Sequence, residues 1–157
     1  MGAMKVSTAY YRSPIGWIEI RSNGKEIIAL SFVAKPRQSV PKNPLFRKAL
    51  REIGEYFNGR RERFTFKSSA QGTRFQKKVW AQLQKIGFGE TVSYQEIALR
   101  IGQPKAVRAA ASAIGRNPAA IVVPCHRVIA SSGAVGGYAG GVRRKRWLLE
   151  HEKEPKK

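Results

Sequence analysis

The spacing of the apolar residues changes near the middle of the chain, and this change limits the fold more than any other feature of the sequence. From Val6 to Phe32 the chain has the character of strands: "WIEI" alternates apolar and polar residues, and the Asn-Gly pair in "SNGK" (22–25) predicts a hairpin. From Leu45 to Phe57 the apolar residues recur at helical spacing, and "NG" follows as a stop signal. The first half therefore predicts a small sheet and one helix.

The second half is predicted to be mainly helical. "KSSAQGT" (67–73) has the composition of a linker, and Thr73 and Gln76 match a capping box at the start of a helix. The chain is accordingly predicted to be an α+β protein. Its domains are expected to span residues 1–70, a structural sheet-plus-helix domain, and residues 71–157.

Two short helices in the second half fit a helix-turn-helix. Ser93 and Glu96 in "SYQEIALRIG" match a second capping box, Gly102 lies in the turn, and "KAVRAAASAIG" predicts the next helix. The alanines of that helix leave its surface almost bare, so it can approach either another helix or a nucleic-acid groove closely. Arg108 is the long side chain on this surface, and it is either a solvated charge or a residue that enters the groove.

The charge of the chain indicates a polyanionic partner. The 30 Lys and Arg residues outnumber the 10 acidic residues, which gives a net charge of +20 and an isoelectric point near 10.9. Such an excess is typical of nucleic-acid-binding proteins. All ten acids are glutamates, which excludes Asp-based catalytic triads and EF-hand calcium loops. No apolar run approaches the length of a membrane span, so we expect no membrane association.

The one cysteine, Cys125 in "IVVPCHRVIA", is either an inert core thiol or a nucleophile. A single cysteine forms no intramolecular disulfide, and with only two histidines in the chain a four-ligand Cys/His zinc site is one ligand short. Adjacent side chains usually diverge, so His126 serves Cys125 only across a sharp backbone turn or through a water. The second histidine, His151, lies beside Glu150 and Glu152, which leaves a Cys-His-Glu relay open in more than one arrangement.

The segment "NPAAIVVPCHRVIASSGAVGGYAGG" (117–141) resembles the active-site segment of the O6-alkylguanine-DNA alkyltransferases, with the Pro-Cys-His-Arg-Val signature intact. The resemblance extends upstream through "GETVSYQEIA" and "PKAVRA" and downstream through "KRWLLEHE", so it covers Thr73 to Glu152. It implies a ribonuclease H-like N-terminal domain and a winged helix-turn-helix-like C-terminal domain. It also implies direct reversal of DNA damage: the protein flips an O6-alkylated guanine from duplex DNA and moves the alkyl group irreversibly to its own cysteine, without a cofactor.

The resemblance implies five catalytic residues. Cys125 is the alkyl acceptor. His126 takes the thiol proton through a water, and Glu152 holds His126. The resemblance therefore assigns Glu152 to His126 and not to the adjacent His151. Asn117 braces the turn around the active site. Tyr94 donates a hydrogen bond to the guanine ring as negative charge develops on the leaving base.

A second set of residues is implied to contact the DNA or the flipped base. Arg108 fills the gap left by the flipped nucleotide, and the bare helix enters the minor groove. The carbonyls of Cys125 and Val128 contact the guanine amino group, Tyr138 lines the pocket, and the backbone N–H at Ala139 serves the guanine oxygen. The full set of expected substrate and DNA contacts is Arg108, Arg127, Val128, Tyr138, Ala139, Gly140, Ala106, Ala109 and Ser93.

Three departures from the family pattern carry expectations of their own. The N-terminal half has neither Cys nor His, so the structural zinc of some family members is not expected, and no metal site is predicted. Ala139 and Ala120 stand where many relatives have Ser and some have Pro. These two changes bear on the acceptance of bulky groups such as benzyl, while methyl transfer is expected to survive them.

Three rival functions remain open at this level: a damage sensor of the same fold without transfer, a DNA-binding regulator with an incidental cysteine, and a cysteine hydrolase. Cys125 itself opposes the first. The protein is further expected to be a monomer that binds duplex DNA with little sequence preference. Its expected location is the cytoplasm of a prokaryote or the nucleus of a eukaryote.

Overall fold

The computed structural model describes residues 6–37 and 43–153. The described chain divides into two compact units: one ends at Ala70, and the other spans Gln71–Lys153. The predicted loop after Lys35 lies partly outside the described residues.

The first unit contains a three-stranded antiparallel sheet in the order β1-β2-β3. Its strands are β1 (Ser7–Ser13), β2 (Gly16–Ser22) and β3 (Ile27–Val33). The alternation read in "WIEI" is confirmed, because Ile18 and Ile20 are buried while Trp17 and Glu19 between them are only partly buried. The predicted hairpin at residues 22–25 is also confirmed, since β2 and β3 pair on either side of it.

One helix completes this unit. Helix α1 (Pro44–Phe57) begins after Asn43, whose side chain accepts a hydrogen bond from the Phe46 N–H at 2.9 Å. Proline at the first helical position fits because its missing N–H has no partner there in any helix. The helix ends before Gly59, which adopts φ +74°. Its buried apolar face comprises Phe46, Ala49, Ile53, Tyr56 and Phe57.

The second unit is mainly helical, as predicted. Its elements are α2 (Arg74–Leu83), β4 (Val92–Ser93), α3 (Tyr94–Arg100), α4 (Val107–Gly115), β5 (Val128–Ile129) and α5 (Val142–Lys153). The short strands β4 and β5 pair in parallel. The residues of the expected linker are not all irregular, because the backbone at 67–69 hydrogen-bonds to Ile27 at the edge of the sheet.

One of the two predicted capping boxes is present. Thr73 and Gln76 exchange side-chain and backbone hydrogen bonds at the start of α2. At the start of α3, Ser93 Oγ accepts from the Glu96 N–H at 3.0 Å. The second half of this capping box, a hydrogen bond from the Ser93 backbone N–H to the Glu96 side chain, was predicted and is wrong. The Glu96 carboxylate lies 3.2 Å from Arg100 Nε instead.

Helices α3 and α4 form the predicted pair, with Gly102 at φ +76° in the turn. Ala110, Ala113 and Ile114 form the buried face of α4. The Trp80 indole N–H of α2 donates to the Ala113 carbonyl at 2.8 Å, which fixes α2 against α4.

The predicted α+β class is confirmed, with a small sheet followed by helices. Helix α5 was not anticipated. No helix in the described part of the chain is both long and apolar enough for a membrane span.

Candidate active site

A cavity of about 460 Å³ opens beside Cys125 in the second unit. Cavities of this size hold small ligands in many proteins. Four parts of the chain form its walls: α3 through its first residue, the C-terminal half of α4, the turn at Cys125, and the glycine-rich loop before α5. The lining residues are Tyr94, Ala111, Ile114, Gly115, Cys125, Gly136, Gly137, Tyr138 and Ala139.

The turn that leads to Cys125 is held by Asn117. Its side-chain amide donates to the Val123 carbonyl at 2.7 Å, and its side-chain oxygen accepts from the Ala119 N–H at 2.9 Å. Between these points Ile121 is buried and adopts φ 73°. A β-branched residue rarely adopts this left-handed conformation, so the turn is strained.

The backbone turns sharply at the cysteine, because Cys125–Arg127 form a single 3-10 turn. This is one of the two conditions under which we expected His126 to act with its neighbour. The imidazole is fully buried, and Nδ1 has no hydrogen-bond partner among the protein groups that the structure describes. Nε2 lies 2.7 Å from Glu152 Oε2.

Glu152 joins two side chains of the turn, since Arg127 also bonds to its carboxylate. Arg127 donates through Nε to Oε1 at 2.7 Å and through Nη2 to Oε2 at 3.0 Å, and its Nη1 donates to the Ile86 carbonyl at 2.7 Å. The side chains of His126, Arg127 and Glu152 are 0, 8 and 1% exposed. The other histidine, His151, stacks on Trp147 with ring centroids 4.9 Å apart.

The electrostatics of the site follow from burial. Burial raises the pKa of the Cys125 thiol, against a hydrogen bond from Asn117 and the charge of Lys145. Burial lowers the pKa of His126 against the pull of Glu152, so its imidazole is neutral near pH 7. Burial acts to raise the pKa of Glu152, but hydrogen bonds and charge from His126 and Arg127 win and hold it well below its usual value. The site therefore combines a protonated thiol with a neutral, carboxylate-bound imidazole.

Lys145 is a site residue that the sequence analysis missed. It lies on α5, is fully buried, and donates from Nζ to the Val128 carbonyl at 2.6 Å and the Gly137 carbonyl at 3.0 Å. Nζ also lies 3.4 Å from Tyr94 Oη. Lysine is rarely buried, so the residue type gives no signal. The buried residues of α5, Lys145, Leu148 and Glu152, do recur at helical intervals, but two of the three are charged, so the apolar pattern of the sequence does not reveal them.

The structure distributes the other expected contacts between the cavity and the surface. Tyr94, Tyr138 and Ala139 line the cavity, whereas Gly140 does not and its carbonyl accepts from Arg144. Burial raises the pKa of Tyr94 and Tyr138, so both hydroxyls keep their protons near pH 7. On α4, Arg108 and Ala109 are exposed, and Ala106, at the N-cap, is half-buried.

Three residues that were expected to contact substrate or DNA form hydrogen bonds within the protein. Arg127 was expected to touch substrate or DNA, but its guanidinium is buried against Glu152 and the Ile86 carbonyl. Ser93 Oγ caps α3. Val128 is buried outside the cavity lining, and Lys145 donates to its carbonyl. The described residues contain no group of three or more Cys, His or Glu side chains placed to hold a metal ion.

Both halves of the chain match known protein families. Residues 74–154 match the model described as the DNA binding domain of 6-O-methylguanine DNA methyltransferase. Residues 6–69 match the model described as the ribonuclease-like domain of the same protein.

Whole-length relatives agree. A methylated-DNA–protein-cysteine methyltransferase of Methanosarcina barkeri is 45% identical, over 89% of this chain and 92% of its own length. One of Haemophilus influenzae is 40% identical, over 93% and 86%. Among solved structures, the O6-methylguanine methyltransferase of Mycobacterium tuberculosis aligns with a TM-score of 0.87 at 40% identity, covering 98% of this chain and 97% of that one.

A second Mycobacterium tuberculosis structure, of OGT in complex with DNA, aligns with a TM-score of 0.84 at 42% identity and covers 92% of this chain and 91% of that one. Two domain models in the right order and relatives that align over nearly the whole chain lead to one conclusion. The chain belongs to the 6-O-methylguanine DNA methyltransferase family.

Proposed function

We propose that this protein repairs O6-alkylguanine in duplex DNA by moving the alkyl group to Sγ of Cys125. The observation that carries the proposal is the place of the one cysteine, in the wall of a cavity and directly before a buried His126–Glu152 pair. In the reaction the S–C bond forms, the O6–C bond breaks, and the electron pair of that bond goes to the guanine. The thioether product is stable, so each molecule acts once.

His126 is the proposed base of this reaction. The thiol is protonated near pH 7 because burial raises its pKa, and it must lose its proton to become a nucleophile. Glu152 binds Nε2, so the Nε2–H tautomer is favoured and the lone pair of Nδ1 is left to accept a proton. We propose that a water carries this proton from Cys125. Glu152 then stabilises the imidazolium that forms.

Arg127 is proposed to position Glu152 rather than to contact the substrate. Its two hydrogen bonds hold the carboxylate in one orientation. Asn117 braces the turn before Cys125 and donates a hydrogen bond that favours the thiolate. Tyr94, protonated in the cavity wall, is the proposed donor to the leaving guanine.

The loop before α5 is proposed to hold the flipped base. Tyr138 and Ala139 line the cavity, and Gly140 follows them in the chain. The N–H at Ala139 is the proposed donor to the guanine oxygen, and the carbonyls of Cys125 and Val128 are the proposed acceptors for the amino group. For Val128 this requires the second lone pair, because Lys145 already occupies one.

Duplex DNA is the proposed partner, with α4 in the minor groove. The exposed residues of this helix include the small Ala109 and Ser112, so its backbone can approach the groove closely. Arg108 stands exposed beside them and is the proposed residue that fills the gap in the base stack. Ser93 and Ala106 are the N-cap residues of α3 and α4, and the proposed contacts of both are with the DNA backbone.

Three further proposals concern the domains, the oligomeric state and the location. Residues 71–157 are the proposed repair domain, which acts as a monomer, and residues 1–70 the structural domain. DNA is found in the cytoplasm of a prokaryote or the nucleus of a eukaryote, and we place the protein there.

The test is the intact mass of the protein after incubation with a duplex that carries one O6-methylguanine. We expect one added methyl group per protein, located by peptide mapping on Cys125. The variant Cys125→Ser should bind the same duplex and gain no mass. Unchanged mass of the native protein, with the duplex bound, would make it a sensor or regulator. Continued release of product beyond one per protein would indicate a hydrolase.

A further inference from the structure

The positive charge of this protein is spread over both halves of the chain. Residues 1–70 contain 14 Lys and Arg residues against 5 Glu, and residues 71–157 contain 16 against 5. The half with the proposed structural role therefore has a net charge of +9, close to the +11 of the proposed repair half. A structural role does not account for this excess, because charge of one sign destabilises a compact unit through self-repulsion.

Helix α1 places part of this charge on one face. Arg47, Lys48 and Arg51 are exposed and lie within about one turn of each other, opposite the apolar face that packs inside the first unit. These three residues are called the basic face of α1 below. Arg51 is 63% exposed, and its Nε lies 4.0 Å from Glu55 Oε1, which is too far for a hydrogen bond.

The basic face opposes the stability of its own helix. Arg47 and Lys48 precede Arg51 by four and three residues, and like charges at these spacings repel each other. The first turn of α1 contains no acidic side chain, so nothing there offsets the positive end of the helix dipole. An anion bound against the face would reduce both unfavourable effects.

The two acidic side chains of α1 are engaged by the segment that follows the helix. Glu52 is buried, and its Oε1 accepts a hydrogen bond from the Thr65 N–H at 2.6 Å. Glu55 Oε1 accepts from Arg61 Nε at 3.1 Å, much closer than it lies to Arg51. The carboxylates of the helix therefore compensate the basic face only weakly.

The chemistry of the face favours nucleic-acid phosphates over a lipid surface. A helix that binds in a membrane surface presents apolar side chains to the lipid beside its cations. In the described part of the chain the large apolar side chains that are exposed are Val6, Leu99 and Val142, and none of these lies on α1. The face thus offers cations alone, which bind the phosphate backbone of DNA without reading its sequence.

We propose that the basic face of α1 is a second DNA-binding surface, which contacts the phosphate backbone of duplex DNA. It belongs to the first unit, whereas the helix pair and the cavity belong to the second. Its contribution to affinity depends neither on damage nor on sequence, so it holds the protein on undamaged DNA. The proposal rests on the proposed function only in taking duplex DNA as the partner.

The test is the affinity of the whole chain for an undamaged duplex, measured against salt concentration with DNA in excess. The logarithm of the association constant falls with the logarithm of the salt concentration, by about 0.9 for each phosphate contact. The triple variant Arg47→Gln, Lys48→Gln and Arg51→Gln should therefore have a slope that is shallower by about 2–3. Its binding in about 0.1 M salt should be weaker by about 100-fold or more.

The matched control removes three exposed cations of the same half that lie outside α1. The control variant is Arg21→Gln, Lys25→Gln and Lys67→Gln, which changes β2, the hairpin and the segment beside β3. Its slope should stay within about one unit of the native slope. Equal losses in the two variants would assign the effect to net charge alone and overturn the proposal. A native slope in the α1 variant would overturn it as well.

Vesicles of phosphatidylserine and phosphatidylcholine test the lipid alternative. The native protein and the α1 variant should bind them equally weakly at the salt concentration at which the native protein binds the duplex. Vesicle binding that is lost in the α1 variant, together with unchanged affinity for the duplex, assigns the face to a membrane surface and overturns the proposal.

Methyl transfer from an O6-methylguanine duplex separates this proposal from the proposed function. If the native protein gains no methyl group but the α1 variant binds the undamaged duplex with the weaker affinity and shallower slope, the proposed function fails and the second surface stands. If the native protein gains one methyl group and the α1 variant binds like the native protein, the second surface fails and the proposed function stands.

A measurement on the native protein locates the contact without any variant. Exposed lysines are acetylated by an N-hydroxysuccinimide ester, with and without saturating duplex, and the modified peptides are quantified by mass spectrometry. Lys48, the one lysine of α1, should be protected by the duplex, whereas Lys25 in the hairpin should react equally in both samples. Equal reactivity of Lys48 with and without DNA overturns the proposal.

Discussion

Replacing Glu152 by Gln tests the buried carboxylate at the centre of the site. The carboxylate accepts one hydrogen bond from His126 at 2.7 Å and two from Arg127 at 2.7 and 3.0 Å, and its side chain is 1% exposed. Removing one partner of a buried ion pair costs about 3–5 kcal/mol, because the other charge stays buried without compensation. Gln keeps the shape and one acceptor oxygen, so we expect about 3 kcal/mol.

For a chain of this length, each kcal/mol lowers the melting temperature by about 2–4 °C, so Glu152→Gln should melt about 6–12 °C below the native protein. The assay is thermal unfolding followed by circular dichroism. Glu150→Gln is the matched control on the same helix, since that carboxylate is exposed and only 3.6 Å from an exposed Lys153. Such pairs contribute about 0–1 kcal/mol, so the control should stay within about 4 °C of the native protein. Equal melting of both variants would refute the stabilising role of the carboxylate.

The same variant should also transfer methyl groups more slowly. A glutamine no longer stabilises an imidazolium at His126, and its amide offers a donor to Nε2, which favours the wrong tautomer. General base catalysis contributes about 10²–10⁴-fold, so a loss in this range is expected. A native transfer rate in folded Glu152→Gln would show that His126 needs no carboxylate.

Three further outcomes are expected. Arg108→Ala should slow repair of duplex about 100-fold, because unstacking a base costs a few kcal/mol, and leave the reaction with free O6-methylguanine nearly unchanged; equal losses on both substrates would exclude the gap-filling role. Cys125 lines the cavity but is only 6% exposed, so a methyl group on its sulfur crowds the buried turn and should destabilise the protein by about 1–3 kcal/mol. The measurement is the melting temperature of the reacted form, which should be lower; an unchanged melting temperature contradicts the prediction. The pKa values of His126 and Glu152 in the folded protein lie below their usual 6.5 and 4.5, so the unfolded chain binds more protons in acid. The free energy of unfolding should therefore fall as the pH drops below about 6.5, and further below about 4.5. Urea unfolding measures this, and a flat profile down to about pH 4 refutes it.

Local patterns predicted the first unit and the helix pair well. The hairpin at residues 22–25 and helix α1 follow from turn chemistry and spacing, which act between residues close in sequence. The capping box at Thr73 likewise needs only four consecutive residues. At Glu96 the same pattern failed in part, because Arg100 one turn later binds the carboxylate.

The interior of the site could not be predicted from such patterns. Helix α5 has charged residues on its buried face, so its apolar spacing is weak. Glu152 meets His126 across 26 residues of sequence, whereas adjacency in the sequence favoured His151 as its partner. Arg127 and Lys145 are residue types that usually face solvent, and only the fold shows that both are enclosed by carbonyls and a carboxylate.

The left-handed backbone at Ile121 has a consequence for how this protein tolerates change. Only glycine adopts φ 73° without steric conflict, and an isoleucine there costs roughly 1–2 kcal/mol. The side chain, 2% exposed, occupies space that glycine would leave empty. Position 121 therefore has no residue that satisfies both demands, the backbone favouring the smallest side chain and the packing favouring a large one. If substitutions elsewhere made the protein more stable, it would tolerate more residue types at position 121.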